Sequence, residues 1–196
     1  MLLIDAHLDL AMNALEWDRN LDLSVNEIRQ AEEGMTQPGR GRGTTTLPEM
    51  RSGEVFLSVV TVISRTARPG GLSTGVASQE ISCAKARGQL AYYRVLESQN
   101  KVRLITEAKQ LDTHLKDWQQ DPTNAPLGFI LSMEGADPIV WPEQVHEWYA
   151  LGLRQIGLSH YGVSAYSHGT GTEGGLTAQG PTLLREMEKA GIALDL

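Results

Sequence analysis

The chain has 196 residues, of which 41% are hydrophobic and 21% are charged, and this composition is ordinary for a globular protein. Its length permits a sizeable core and favours a single domain over residues 1–196. The formal net charge is −7 and basic residues do not cluster, which argues against a nucleic-acid partner. Cys83 is the only cysteine, so no intrachain disulfide can form. The sequence shows neither a signal peptide nor an apolar run of about 18 residues, so we expect a cytoplasmic protein without a membrane segment.

Predicted strands and helices alternate along the chain. The first strand begins with the apolar residues 2–4 and runs into the sequence DAHLD. Apolar and β-branched runs predict further strands over residues 54–64, 102–105, 127–134, 154–160 and 192–196. Apolar residues at helical spacing, with Ser24 and Thr106 as N-caps, predict helices over residues 24–35, 78–99, 106–119, 142–151 and 181–190. Glycine- and proline-rich segments predict loops over residues 34–48, 68–75 and 161–180.

The strands are continuous apolar runs, which is typical of a parallel sheet covered by helices on both faces. A (β/α)8 barrel of the TIM type needs about 250 residues. This chain supplies about the first five barrel strands and stops inside an apolar strand. We therefore expect an α/β fold in the form of a truncated barrel. Two alternatives stay open, namely a complete open sheet and a barrel that another chain completes.

His7 and Asp9 stand at the end of the first predicted strand. Residues two apart on a strand point to the same side, so these two side chains can converge on one ion. Imidazole nitrogens and carboxylate oxygens are common zinc ligands, and barrel sites lie at the carboxyl ends of the strands. The alternative is a histidine satisfied by a hydrogen bond and an aspartate that caps the following helix.

Two more polar side chains stand at the ends of predicted strands. Glu134 ends the run FILSME, and His160 ends the run RQIGLSH. A carboxylate at the end of a buried strand is costly unless it is paired or bound to a metal. In a parallel sheet both residues would share an edge with His7 and Asp9. The alternative for Glu134 is a loop cap beside Gly135.

The other three histidines carry no such signal. His168 lies in the glycine-rich loop, where we expect it to be exposed to solvent. His114 and His146 fall on predicted helices, where we expect surface positions. We therefore restrict the predicted site to His7, Asp9, Glu134 and His160.

Four segments in succession carry a family resemblance. They are DAHLDL, SMEG, GLRQIGLSH and GGLTAQGPTLLREMEKAGIALDL. They resemble the motifs D-x-H-x-D-L, V-E-G, G-x-R-x-x-x-L-T-H and G-L-T-x-x-G…D-L-S-H of the membrane (renal) dipeptidases, peptidase family M19. The resemblance covers nearly the whole chain. It implies a (β/α)8 barrel with a binuclear zinc site.

The resemblance also implies a role for each site residue. His7 and Asp9 would bind the first zinc ion, and Glu134 would bridge both ions. His160 would lie beside the substrate and hydrogen-bond the scissile carbonyl oxygen or the tetrahedral intermediate. The family's remaining zinc and substrate ligands follow beyond the point where this sequence stops. We therefore expect at most a partial site here, and little or no dipeptidase activity from this chain alone.

The implied activity is the hydrolysis of small dipeptides, some with a D-residue at the C-terminal position, by a zinc-activated water. A homodimer is a candidate assembly. The chain departs from the family at Leu8, where an asparagine is frequent, and in YGVSAYSHG after His160. Two alternative functions stay open. One is a different metal-dependent amidohydrolase that acts on cyclic amides or esters. The other is a non-enzyme, either an inactive truncated product or a domain that binds a partner through its last strand.

Overall fold

The computed structural model describes residues 2–68 and 75–196, so most of the loop predicted over residues 68–75 lies outside the described residues. The strands are β1 Leu3–Leu8, β2 Val55–Ile63, β3 Val102–Leu104, β4 Leu127–Glu134, β5 Leu153–Gly157 and β6 Ala193–Asp195. The helices are α1 Leu10–Glu16, α2 Val25–Ala31, α3 Leu47–Ser52, α4 Gln79–Ser98, α5 Ala108–Gln120, α6 Val145–Ala150 and α7 Gly180–Ala190. A short 3₁₀ turn, Pro142–Gln144, leads into α6.

The strands form a parallel sheet in the order β1-β2-β4-β5-β6. The short strand β3 pairs with the first three residues of β4, and β5 pairs with the last four. Helices separate the successive strands of this path, which is the arrangement of a (β/α) barrel that runs from its first to its fifth strand. The predicted parallel α/β half-barrel is thus confirmed.

The core lies on both sides of β2 and β4, the two central strands. Their buried residues alternate between the two faces, so both faces need a cover. Helix α4 packs on β2 and β3, and α1 packs on α4 and β2. The outer strands are less covered, with Ile4 of β1 61% exposed and Leu194 of β6 42% exposed. Within the described ranges, no helix is both long and apolar enough to cross a bilayer.

The helix ends confirm one predicted cap and correct another. Ser24 is the N-cap of α2, as predicted, and forms a capping box with Glu27. Thr106, in contrast, is not the N-cap of α5, which begins at Ala108 after Glu107. The backbone N–H and the hydroxyl of Thr106 both donate to the side-chain oxygen of Gln110. This local contact holds the segment before the helix in place.

His114 is fully buried, so its predicted surface position is wrong. Its ring stacks on Phe56 at 4.7 Å between centroids, and Nε2 lies 2.9 Å from the Phe56 carbonyl oxygen. The ring also sits against Gly128, where any larger residue would collide with it. Burial lowers the pKa of His114, so it is a neutral core residue. His146 is exposed, as expected.

Glu32, a buried carboxylate, holds the loop after α2 in place through several hydrogen bonds. Arg19 donates to both of its oxygens at 2.8 and 3.1 Å, and Arg40 donates to Oε1 at 2.9 Å. The backbone N–H of Gly41 donates to Oε2 at 2.6 Å. The hydrogen bond from Arg19 is the main reason that the pKa of Glu32 falls to about 2, against the opposing effect of burial.

We expect Glu32→Gln to lower the free energy of unfolding by about 3 kcal/mol at pH 7, because it breaks a buried ion pair. Unfolded Glu32 takes up a proton near its ordinary pKa of 4.5, and folded Glu32 does so only near about 2. The stabilisation is therefore complete above pH 4.5 and is lost as the pH falls towards about 2. Urea unfolding from pH 2 to 7 should show the two proteins converging on acidification.

Asp22→Asn is the matched control. Asp22 pairs with Lys101 at 2.6 Å on the surface, where an ion pair contributes less than about 1 kcal/mol. Equal losses of unfolding free energy in the two variants would contradict this role of Glu32. A stability difference between Glu32→Gln and wild type that stays the same at every pH would also contradict it.

Candidate metal and active site

The parallel sheet brings the four predicted site residues to one edge. His7 lies near the end of β1, Asp9 follows that strand directly, and Glu134 is the last residue of β4. His160 follows β5 by three residues. The register aligns Glu134 with Ile63 at the end of β2. The carboxyl ends of the strands therefore define a common rim, as expected. We call His7, Asp9, Glu134 and His160 the rim cluster.

Within the rim cluster, His7 Nε2 lies 3.6 Å from Asp9 Oδ1 and 3.3 Å from Glu134 Oε2. One ligand atom from each of these three residues lies within 4.8 Å of the others. Tetrahedral ligands at roughly 2.1 Å from an ion are roughly 3.4 Å apart. The spacing and chemistry of the three side chains therefore suit a metal ion.

Glu134 carries an unsatisfied oxygen. Its Oε2 is buried and, among the described residues, has no hydrogen-bond partner. Burial raises the pKa of Glu134 to about 7, and the negative charge of Asp9 adds to the rise, while His7 opposes it. The influence of His7 is thus smaller than that of burial and Asp9 together, and a buried carboxylate oxygen that accepts no hydrogen bond is costly. A cation beside Glu134 would remove that cost.

His160 lies on the other side of Glu134, with Nε2 3.0 Å from Glu134 Oε1. Burial lowers the pKa of His160, and the positive charge of Arg65 lowers it further. The imidazole is therefore neutral near pH 7 and can donate one hydrogen bond. His168 in the following loop is half-buried rather than exposed, which corrects the expectation from the sequence.

Asp9 is held in place by residues that the sequence did not single out. It occupies the N-cap position of α1, but its side chain makes no capping bond. Instead the hydroxyl of Thr61, on β2, donates to Asp9 Oδ1. The hydroxyl of Tyr93 donates to the Thr61 carbonyl at 2.9 Å and accepts from Ala11 N–H at 3.0 Å. No sequence signal distinguishes Thr61 or Tyr93 from other strand and helix residues.

A second buried carboxylate fixes the loops beside His160. Asp137 accepts hydrogen bonds from the backbone N–H groups of Thr66 and Ala165, both at 2.8 Å. Arg68 contacts the same carboxylate at 3.3 Å. Because these bonds join the loops that follow β2, β4 and β5, Asp137 stabilises the rim without belonging to the rim cluster.

A parallel half-barrel with potential metal ligands on its carboxyl rim is the framework of a metal-dependent barrel enzyme. The family model for membrane dipeptidases, peptidase family M19, matches residues 1–196. The chain belongs to that family, which confirms the resemblance found in the sequence. Among proteins of curated function, none matched this sequence.

Solved structures of family members have the same fold. A dipeptidase described as a metallopeptidase of family M19 matches with a TM-score of 0.72 and 21% identity, over 100% of this chain and 56% of its own. A Rhodobacter sphaeroides metallopeptidase, liganded with a phosphinate mimic of L-Ala-D-Ala, has the same TM-score and identity over 100% of this chain and 58% of its own. The probable dipeptidase PvdM of Pseudomonas aeruginosa matches with a TM-score of 0.65 and 15% identity, over 100% and 46%. The chain thus spans about half the length of these proteins.

We expect Tyr93→Phe to lower the free energy of unfolding by about 1–3 kcal/mol, because it leaves the buried Ala11 N–H without its partner. Tyr92→Phe, at the neighbouring half-buried position, removes a hydroxyl that bonds to no described residue, and should change stability by less than about 0.5 kcal/mol. Urea denaturation measures both. Equal effects would show that the Tyr93 hydroxyl does not brace α1 against β2.

Proposed function

We propose that this chain is the metal-binding part of a zinc-dependent dipeptidase, in which His7, Asp9 and Glu134 bind zinc and His160 contacts the substrate. The observation that carries the proposal is the convergence of His7, Asp9 and Glu134, in which the buried Oε2 of Glu134 accepts no hydrogen bond and lies 3.3 Å from His7 Nε2. Membership in the dipeptidase family supports the same assignment.

The donor set favours zinc over the alkaline-earth metals. One imidazole nitrogen and two carboxylate oxygens are a ligand combination that zinc accepts, whereas calcium and magnesium prefer oxygen alone. When bound, zinc polarises a carbonyl group and makes hydroxide accessible near neutral pH. Glu134 has a second oxygen, Oε1, which faces His160. As the family resemblance implies, Glu134 would be the ligand shared by two zinc ions.

The protein residues have separate tasks in this proposal. Thr61 fixes the orientation of the Asp9 carboxylate through its hydroxyl. His160 is neutral near pH 7, because burial lowers its pKa. With Glu134 engaged as a metal ligand, the Nε2–H of His160 would be available to donate to the carbonyl oxygen of a substrate. Such a donor stabilises the negative charge that develops on that oxygen during hydrolysis.

The proposed substrates are small dipeptides, including those with a D-residue at the C-terminal position. The Rhodobacter sphaeroides relative was solved with a phosphinate mimic of L-Ala-D-Ala, which supports this class. Because we expect little or no turnover from this chain alone, a binding panel that compares dipeptides with lactones and cyclic ureas separates a dipeptidase from another amidohydrolase on the same barrel.

We expect about one zinc ion per chain after dialysis against zinc and removal of the excess, because three ligands converge at one point. The variant His7→Ala/Asp9→Ala should lose that ion, and Glu134→Gln should bind zinc more weakly. Elemental analysis gives the metal content. Urea unfolding with and without zinc gives a second readout, because a ligand that binds only the folded state raises its stability.

His146→Ala/Glu186→Ala is the matched control. It removes a histidine and a carboxylate that lie 2.9 Å apart between α6 and α7, away from the rim. This variant should bind zinc as the wild type does. Zinc retained by His7→Ala/Asp9→Ala, or no zinc in the wild type, would refute the proposed site.

A further inference from the structure

A cavity of about 250 Å³ opens beside the rim cluster. His7 and Asp9 line it together with residues 42–46 of the loop before α3. Leu10, Val25 and Ile28 add apolar surface. Drug-sized ligands occupy cavities of about 300–1,000 Å³, so this cavity suits a smaller molecule. A molecule held here would lie next to the proposed metal ligands.

The loop side of this cavity is positively charged, although the chain as a whole carries a net charge of −7. Arg19 and Arg42 line the cavity, and Arg40 lies next to Arg19 on the carboxylate of Glu32. Glu32 therefore offsets one of three guanidinium groups. Arg42 is exposed, and no described residue forms an ion pair or hydrogen bond with its side chain.

The backbone on each side of Arg42 is anchored. The N–H of Gly41 donates to Glu32 Oε2 at 2.6 Å, and the carbonyl of Gly43 accepts from Arg29 Nε at 2.8 Å. The loop therefore presents Arg42 from a fixed backbone, while its guanidinium keeps all of its donors. A pre-organised donor group reduces the entropy that a ligand must overcome on binding.

We propose that Arg42 binds a carboxylate of the substrate and so selects dipeptides that carry one within reach of the cavity. The guanidinium group matches a carboxylate with two parallel hydrogen bonds, which makes the contact both strong and directional. The carboxylate is either the C-terminal group or an acidic side chain. This inference rests on the proposed function, because it places the bound dipeptide with its peptide bond at the rim cluster.

The test uses four probes, namely Ala-Asp, Ala-Asn and the C-terminal amide of each, titrated calorimetrically into the 196-residue chain. We expect a probe with the recognised carboxylate to bind about tenfold tighter than its uncharged counterpart, as for a charge-assisted hydrogen bond. Arg42→Gln should abolish that difference. Comparing Asn with Asp, and amide with acid, identifies which carboxylate Arg42 binds.

Arg185→Gln is the matched control, because it removes an exposed guanidinium on α7, away from the cavity. It should bind the probes as the wild type does. Titrations in zinc and in chelator separate the two proposals. A wild type that binds no zinc refutes the proposed function. A difference in affinity that depends on Arg42 and persists in chelator still supports the role of Arg42. The inference is overturned if Arg42→Gln retains the difference, if Arg185→Gln abolishes it equally, or if the wild type does not distinguish or bind the probes.

Discussion

The rim cluster centres on one partly buried carboxylate at the end of a central strand. Glu134 closes β4, with His7 3.3 Å from one of its oxygens and His160 3.0 Å from the other. The sheet that places it there is built from apolar strands and supplies no compensating charge. Burial and Asp9 together raise the pKa of Glu134 to about 7, so the carboxylate is poorly satisfied by the described protein atoms alone. The cation that we propose at this site would be its partner.

Loops as well as strands position the residues around the rim cluster. Thr61 and Tyr93 fix Asp9 from the side of β2 and α4. Glu32 fastens the loop before α3, which carries Arg42 to the cavity beside Asp9. Buried ionic groups of this kind contribute little net stability compared with apolar packing. The polar contacts described above instead hold in place the chain segments that border the rim.

The alternation of apolar strands and helices predicted the parallel half-barrel, and the polar strand ends predicted that His7, Asp9, Glu134 and His160 would meet. Both signals are local, and the geometry of parallel strands brings the four side chains to one edge of the sheet. The burial of His114 could not be predicted, because it depends on Phe56 and Gly128, which are distant in sequence. The roles of Thr61, Tyr93 and Glu32 could not be predicted either, because they too depend on residues that are distant in sequence. The single domain, the cytoplasmic location and the homodimer stay predictions.

The most direct test of the central claim is the position of a metal ion in crystals of the zinc-loaded chain, found by anomalous X-ray diffraction at the zinc edge. Elemental analysis counts ions, whereas the anomalous peak shows which atoms hold them. We expect a peak within about 2.0–2.3 Å of His7 Nε2 and of carboxylate oxygens from Asp9 and Glu134. A peak elsewhere, such as between His146 and Glu186, or a rim cluster without any peak, would contradict it.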